Sequence, residues 1–446
     1  MNLDPAQQTA VDLCVDMTNR LVAISGEAGT GKTTIIRTVC DVLTANQIPF
    51  ALAAPTGKAA RRIREATGYP AVTIHKLLEF NRPEIDEDTG NAKSSTTPGR
   101  HAGNPLTEKV VLVDEYAMVS TALHRDLAAA IGQGCMRVFG DIRQLPPIDN
   151  ARLADPTSPF ERCLAMRNSI ILTRVYRQEE GNGILEAARA INAGAPFSKN
   201  EDVNIVFSPT MVGRLRDDVS IDPEKWRSLD CQIISPLRKN DIGTVRLNGL
   251  LQSVILGDMT NKIELPRHKW QEKEHVYVGV GDKVVCTTNV YDMRDYEERF
   301  SVWLDAVTPE RQSFIPCPET KTMLNGEVGT IFAVHDDGAL EIDFGDRVVE
   351  VPPVVFDYSE KHRTLIRIDN RKNIELAYAL TTHKCQGSEY QEVAYVMAAS
   401  AFFVLNRPNF YTAITRAKKK ATIYTDQRAF MTALKNRTAF RPAEKK

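Results

Sequence analysis

The stretch Gly26-Glu27-Ala28-Gly29-Thr30-Gly31-Lys32-Thr33-Thr34 constrains this chain more than any other. It has the form G-x-x-x-x-G-K-[ST]. The apolar run Leu21-Val22-Ala23-Ile24 before it suits a buried parallel strand, and Ile35, Ile36, Val39, Val42 and Leu43 after it fall at helical spacing. A strand–loop–helix of this kind turns backbone N–H groups inward around phosphates, at a helix N-terminus that already favours anions. Lys32 then reaches the β and γ oxygens, and the Thr33 hydroxyl can ligate Mg²⁺. Gly26, Ala28, Gly29, Thr30, Gly31, Lys32, Thr33 and Thr34 are therefore expected to form a nucleoside triphosphate site.

A second signal lies further along. Val110-Val111-Leu112-Val113-Asp114-Glu115 reads as a buried strand ending in two carboxylates. In a chain with a phosphate loop this predicts that Asp114 holds Mg²⁺ and that Glu115 orients or deprotonates an attacking water. Met136 to Asp141 reads as another strand, and the diproline Pro146-Pro147 fixes an extended path that presents Gln144 at its carboxyl edge.

Length and composition set the outer limits. A chain of 446 residues is long enough for two to four domains, and 25% charged with 43% hydrophobic residues is ordinary for a globular protein. No apolar run approaches the ~20 residues that span a bilayer, and the N-terminus lacks a signal-peptide core, so a cytoplasmic setting and no membrane partner are expected. The eight cysteines include no C-x-x-C pair, which favours buried thiols over zinc or a disulfide framework. A net charge of −1 means that any nucleic-acid surface must be local.

The remaining segments follow an α/β rhythm with two interruptions. Asp4 and Pro5 read as the cap and first residue of a helix carrying Gln7. Phe50–Ala54 reads as a strand running into Lys58, Arg61, Arg62 and Arg64, a basic cluster that is either a ligand site or a solvated face. Residues 79–108, with several prolines and the acidic run 84–88, break the rhythm as a hairpin or a flexible loop. After Ile170–Leu172 a second α/β unit begins near Cys231. It gives way to β-rich sequence whose hairpin turns at Asp336-Asp337-Gly338, and it resumes with the apolar run Ile374–Leu380.

Taken together, these strings resemble superfamily 1 helicases, specifically the branch containing RecD and the phage helicase Dda, and the match spans nearly the whole chain in motif order. Ala54–Ala60 resembles motif Ia, Thr73-Ile74-His75 the next DNA-contacting motif, and Gly140-Asp141-Ile142-Arg143-Gln144-Leu145-Pro146-Pro147 motif III. Tyr176-Arg177-Gln178 resembles motif IV, Thr381–Glu389 motif V, and Tyr411-Thr412-Ala413-Ile414-Thr415-Arg416-Ala417 motif VI. Tyr116 and Cys385 depart from the family pattern without removing a catalytic group.

The resemblance implies two RecA-like P-loop lobes, with a small hairpin or loop insertion (1B) and an SH3-like β insertion (2B). The expected boundaries are 1–78 and 109–175 for the first lobe around a 79–108 insertion, then 176–275 and 369–446 for the second lobe around a 276–368 insertion. It implies ATP and Mg²⁺ as cofactors, with Gln7 reading adenine and Glu389 also binding nucleotide. Lys32, Asp114, Glu115 and Gln144 would act with Arg177 and Arg416 as arginine fingers. Single-stranded DNA would contact Thr56, Lys58 and His75 on one lobe and Thr381, His383 and Lys384 on the other. Phe80, at the root of the 79–108 insertion, would split the duplex. The implied activity is ATP-dependent 5′→3′ translocation and unwinding of tailed duplex DNA, with a single-strand-binding protein or a replisome component as partner. The alternative is an ATP-dependent switch that binds single strands and hydrolyses ATP without unwinding.

Overall fold

The computed structural model describes residues 3–80, 84–86, 91–93, 97–147, 157–176, 182–257, 261–266, 275–290, 322–353, 355–359 and 364–437, with backbone alone at 84–86, 91–93, 355–359 and 364–368. Two parallel sheets organise it. The first has the spatial order Val72–Thr73, Phe50–Ala54, Val110–Val113, Cys135–Gly140, Leu21–Gly26, Ser169–Leu172. Helices cover both faces, so the central strands are continuous apolar runs. Val110–Val113 is buried throughout. Leu21–Gly26 pairs with Cys135–Gly140, which pairs with Val110–Val113. Their carboxyl ends therefore bring the phosphate loop, Asp141 and Asp114 to one edge of the sheet, where open α/β sheets bind ligands.

The second sheet runs Ala379–Thr381, Cys231–Ser235, Tyr390–Val396, Ala417–Thr425, Val203–Phe207, again all parallel. Tyr390 pairs with Ala417, so the residues just before them, Glu389 and Arg416, are neighbours on the amino edge of this sheet.

A five-stranded antiparallel sheet forms the β insertion, in the order Val348–Val351, Leu340–Asp343, Val328–Val334, Lys283–Cys286, Ile374–Leu376. Its hairpin turns at Gly338, whose φ of +86° suits glycine. The last strand corrects the expected boundary at 368. The apolar run 374–380 is divided between two sheets, Ile374–Leu376 in the insertion and Ala379–Thr381 in the second lobe. Two buried amides satisfy the backbone at the crossing. Gln232 Nε2 donates to the Ala377 and Tyr378 carbonyls, and Asn248 Nδ2 donates to those of Leu376 and Ala379. Lys283 adds an anchor: fully buried, its ammonium donates to the Ser228 and Cys231 carbonyls, and burial lowers its pKa to about 7.

Residues 84–86 and 91–93, within the expected 79–108 insertion, pair as antiparallel strands. The seven described cysteines are free and buried. Among the described residues no helix is long and apolar enough to cross a membrane.

The N-terminal helix Pro5–Val15 opens on a capping box between Asp4 and Gln7. Arg137, fully buried in the first sheet, closes its other end. Its guanidinium donates to the carbonyls of Cys14 (2.6 Å), Asn19 (2.7 Å) and Asp16 (3.1 Å). A cation at a helix C-terminus is favoured by the dipole, and here it also satisfies carbonyls that burial would leave unpaired. Arg137→Leu is expected to destabilise the protein by about 3 kcal/mol, the scale of lost charge-assisted hydrogen bonds in a buried site. Denaturant unfolding checks this, and an unchanged midpoint would show that the helix is held by packing alone.

Candidate nucleotide site and nucleic-acid face

The phosphate loop is shaped by two glycines with positive φ, Gly29 (+82°) and Gly31 (+85°). Gly31 caps the helix Lys32–Ala45 and offers no side-chain acceptor there. It has a second reason to be glycine: a Cβ would lie 2.3 Å from Gln7 Nε2. Gln7, expected to read adenine, makes one hydrogen bond inside the protein at each end of its amide. Its Oε1 accepts from Asp4 N–H at 3.2 Å, and its Nε2 donates to the Thr30 carbonyl at 3.1 Å. Gln7 braces the loop from behind. Thr30 is buried beneath the same loop, its hydroxyl donating to the Glu27 carbonyl at 2.9 Å. Gly26 is packed against that hydroxyl, which a Cβ would meet at 2.4 Å.

A cavity of about 390 Å³ opens above the loop, lined from the first lobe by Ala28, Gly29, Gly31, Lys32, Thr33, Thr34, Asp114, Glu115 and Gln144. Glu389 and Arg416 line it from the second lobe. Eleven expected residues thus meet around one space. Lys32 Nζ folds back onto the Gly26 and Glu27 carbonyls at 2.7 and 3.0 Å. Burial, then the charge of Glu115, raises the Asp114 pKa above the usual carboxylate range, and Lys32 opposes the rise. Glu115 sits at φ +52°, ψ +38°, a left-handed conformation costly for a side-chain-bearing residue and concentrated at functional sites. Gln144 is buried, and its Oε1 has no hydrogen-bond partner among the described residues. Arg416, 3% exposed, is held by main-chain carbonyls: Nε on Thr412 at 3.1 Å and Nη1 on Ser388 at 3.2 Å. Arg177 lies outside the described residues.

Seven further lining residues were not among the expected site residues, and two of them, Arg62 and Tyr176, carry functional side chains tied to the site. Arg62 pairs with Glu389 across the lobes and lies near Asp114 and Glu115. Tyr176 presents its ring at the cavity, its N–H donating to the Gly29 carbonyl at 2.8 Å and its hydroxyl to Asp4. The motif IV resemblance pointed to Tyr176 as part of a string, but nothing local placed its ring.

The expected DNA contacts are divided in their surroundings. Thr56 caps the helix Gly57–Thr67, accepting from Ala59 N–H at 3.2 Å, and Thr381 accepts from Lys384 N–H at 3.3 Å. His75 is exposed and meets the half-buried Phe80 ring at 5.1 Å between centroids. Partial desolvation of the ring, although the residue as a whole is exposed, lowers the pKa of His75, and burial lowers that of His383. The two lysines are already engaged. Lys58 Nζ lies 5.7 Å over the Tyr390 ring, and Lys384 is 2.7 Å from Glu375. Arg61 pairs with Asp346 of the β insertion. The basic cluster at the start of this helix is therefore not a free anion site in this arrangement. Cys385 is fully buried and its thiol is pushed up to about 11 by burial.

A phosphate loop, a strand-end acid pair and an arginine from a facing lobe define a two-lobed P-loop fold with a cavity between the lobes. Comparison with known proteins narrows this. A family model described as an AAA domain matches residues 2–204, and one described as a UvrD-like helicase C-terminal domain matches residues 376–424. The ATP-dependent RecD2 DNA helicase of Deinococcus radiodurans is 28% identical over 405 residues, covering 90% of this chain and 46% of its own length. The RecBCD enzyme subunit RecD of Mycolicibacterium smegmatis is 27% identical over 92% of this chain and 69% of its own. A solved structure of Bacteroides Pif1 bound to single-stranded DNA shares the fold at a TM-score of 0.55 and 17% identity, covering 97% of this chain and 94% of that one. The chain is thus similar to RecD helicases over nearly its whole length and shares its fold with Pif1. It spans about half the length of the RecD2 relative.

Gly31→Ala is expected to abolish nucleotide binding while leaving the fold largely intact, because both the required φ and the Gln7 contact exclude a Cβ. Titration with a fluorescent ADP analogue checks this, and affinity within about twofold of wild type would contradict it.

Proposed function

We propose that the chain is an ATP-dependent DNA helicase that moves 5′→3′ on single-stranded DNA. The observation that carries this is the composite cavity, in which Lys32, Asp114, Glu115 and Gln144 of one lobe face Arg416 of the other. The cavity also fits a divalent cation. No cluster of three or more His, Cys, Asp or Glu among the described residues could hold a metal unaided, and Mg²⁺ characteristically needs only one or two protein ligands beside phosphates. Thr33 and Asp114 would hold it, and when bound it neutralises charge on the β and γ oxygens.

The chain's own groups have separable tasks. Lys32 exchanges its carbonyl partners for phosphate oxygens. Glu115 accepts a proton from the attacking water, and Gln144 Oε1, without a partner among the described residues, accepts a hydrogen bond from the water's other hydrogen, which stays on the phosphate formed. Water oxygen bonds to the γ-phosphorus as the bond to the ADP oxygen breaks, and Arg416 offsets the charge that spreads over the equatorial oxygens. Arg177 is assigned a second finger role and Glu389 a nucleotide contact. Arg416 serves only while the lobes are together, so hydrolysis and lobe separation are linked, which supplies directed motion.

Thr56, Lys58, His75, Thr381, His383 and Lys384 are assigned to the DNA path, where contacts to phosphates give affinity without sequence preference. Lys58 and Lys384 must exchange Tyr390 and Glu375 for DNA as the strand binds. The 79–108 hairpin, with Phe80 at its root, is assigned to strand separation. A cytoplasmic setting and a single-strand-binding or replisome partner complete the reading.

The test is unwinding of duplexes with a 5′ or a 3′ single-stranded tail. ATP-driven displacement from the 5′-tailed duplex alone is expected, with none by Lys32→Ala. Arg416→Ala should bind ATP yet lose roughly 10³–10⁵ in turnover. Hydrolysis without displacement would favour the switch, and an Arg416→Ala variant keeping DNA-stimulated turnover would remove the finger assignment.

A further inference from the structure

The turn after strand Cys135–Gly140 carries Asp141 and Gln144, and three side chains of the second lobe grip it. The Tyr411 hydroxyl donates to Asp141 Oδ2 at 2.6 Å. Leu145 N–H donates to Thr412 Oγ1 at 2.8 Å, and Gln386 Nε2 donates to the Leu145 carbonyl at 2.7 Å. Both backbone groups of the residue following Gln144 are thus held from across the cleft.

The grip is buried. Asp141 is 2% exposed and Tyr411 1%. Burial, together with the Asp141 charge, pushes the Tyr411 phenol well above its usual range, so the hydroxyl keeps its proton and donates it. The same short segment fixes the arginine, since Arg416 Nε donates to the Thr412 carbonyl. Residues 411 and 412 therefore hold the Gln144 turn on one side and Arg416 on the other. Neither lines the nucleotide cavity, whereas Gln144 does, and its buried Oε1 has no partner among the described residues.

We propose that Tyr411, seconded by Thr412, is a positioning residue that sets Gln144 in register with Arg416 for cleavage of the γ-phosphate. The Gln144 turn is then competent only while the two lobes are joined. This rests on the ATPase reading above and adds to it the element by which closure is sensed. A phenol-to-carboxylate bond suits the purpose. It is strong enough to fix the turn when made, and a single opening motion breaks it together with both Leu145 contacts.

Tyr411→Phe in the full chain removes one oxygen and keeps the ring. With saturating single-stranded DNA, kcat for ATP is expected to fall roughly tenfold or more, the scale at which a charge-assisted hydrogen bond acts on a rate. KM is expected to stay within about twofold. In a Gln144→Ala background the same substitution should cost less than about twofold further, because the residue it positions is gone. Asp141→Asn, which retains an acceptor for the phenol, should keep more activity than Asp141→Ala. Thr412→Val breaks a different bond of the same grip and should show the same kcat-selective loss, which keeps the test decisive if Tyr411→Phe proves insoluble. Equal losses in both Gln144 backgrounds would mean a general packing role and overturn the proposal, as would an unchanged kcat. A wild type that hydrolyses ATP beside an unimpaired Tyr411→Phe removes the proposal alone. A wild type without ATP turnover removes it together with the ATPase reading.

Discussion

Charge buried between the two lobes is balanced by cations of the first lobe and, at Asp141, by groups of the second as well, and the engagement of the lobes depends on this. Burial raises the Asp114 and Asp141 pKa values, and Lys32 opposes the rise at each. Arg62 adds its charge near Asp114, and Arg416 and the Tyr411 hydroxyl act on Asp141 from the facing lobe. Lys32 and Arg416 themselves are satisfied by main-chain carbonyls and join no ion pair among the described residues. Two cations directed at one cavity without carboxylate partners suit a polyanion, because a charge in a water-poor site is costly until it is matched. A triphosphate matches both at once, and only when the lobes are together.

The same balance extends from the cavity lining outward. Arg61 and Arg62, on the helix that begins at the proposed DNA contacts, are met by Asp346 and Glu389 from the second half of the chain. Lys58 faces Tyr390, and Leu324 of the β insertion lies where a Cβ on Gly57 would meet it at 2.9 Å. Acidic groups of one lobe thus stand where phosphates of a bound strand are proposed to lie on the other. An arriving strand must replace these partners, which gives DNA a direct physical means of shifting how the lobes engage.

How much of this could be read from the sequence depends on range. The parallel strands were legible because burial on both faces writes an uninterrupted apolar run, as in Val110–Val113. The phosphate loop was legible because its chemistry is local. The roles that depend on distant partners were not. Gln7 carried no sign that its amide would brace Thr30, and the basic cluster 58–64 carried none that acids some 270 to 330 residues away would meet it. The mostly apolar run 374–380 carried no sign of where one sheet would give way to the next. It is divided because Gln232 and Asn248, far off in sequence, satisfy the backbone between the two sheets. Arg137, buried in an otherwise apolar strand, carried no local sign that it would clasp the N-terminal helix.

The most direct measurement is the distance between the lobes, read by pulsed electron resonance between spin labels on exposed positions of each, Gln133→Cys and Thr210→Cys. With single-stranded DNA present, adding ADP with aluminium fluoride is expected to collapse the distribution to one shorter, narrower population. In Arg416→Ala, whose cleft lacks the second lobe's charge, the distribution should remain broad. A distribution indifferent to nucleotide, or one that narrows equally without Arg416, would contradict the central claim that the bound phosphates draw the two lobes together.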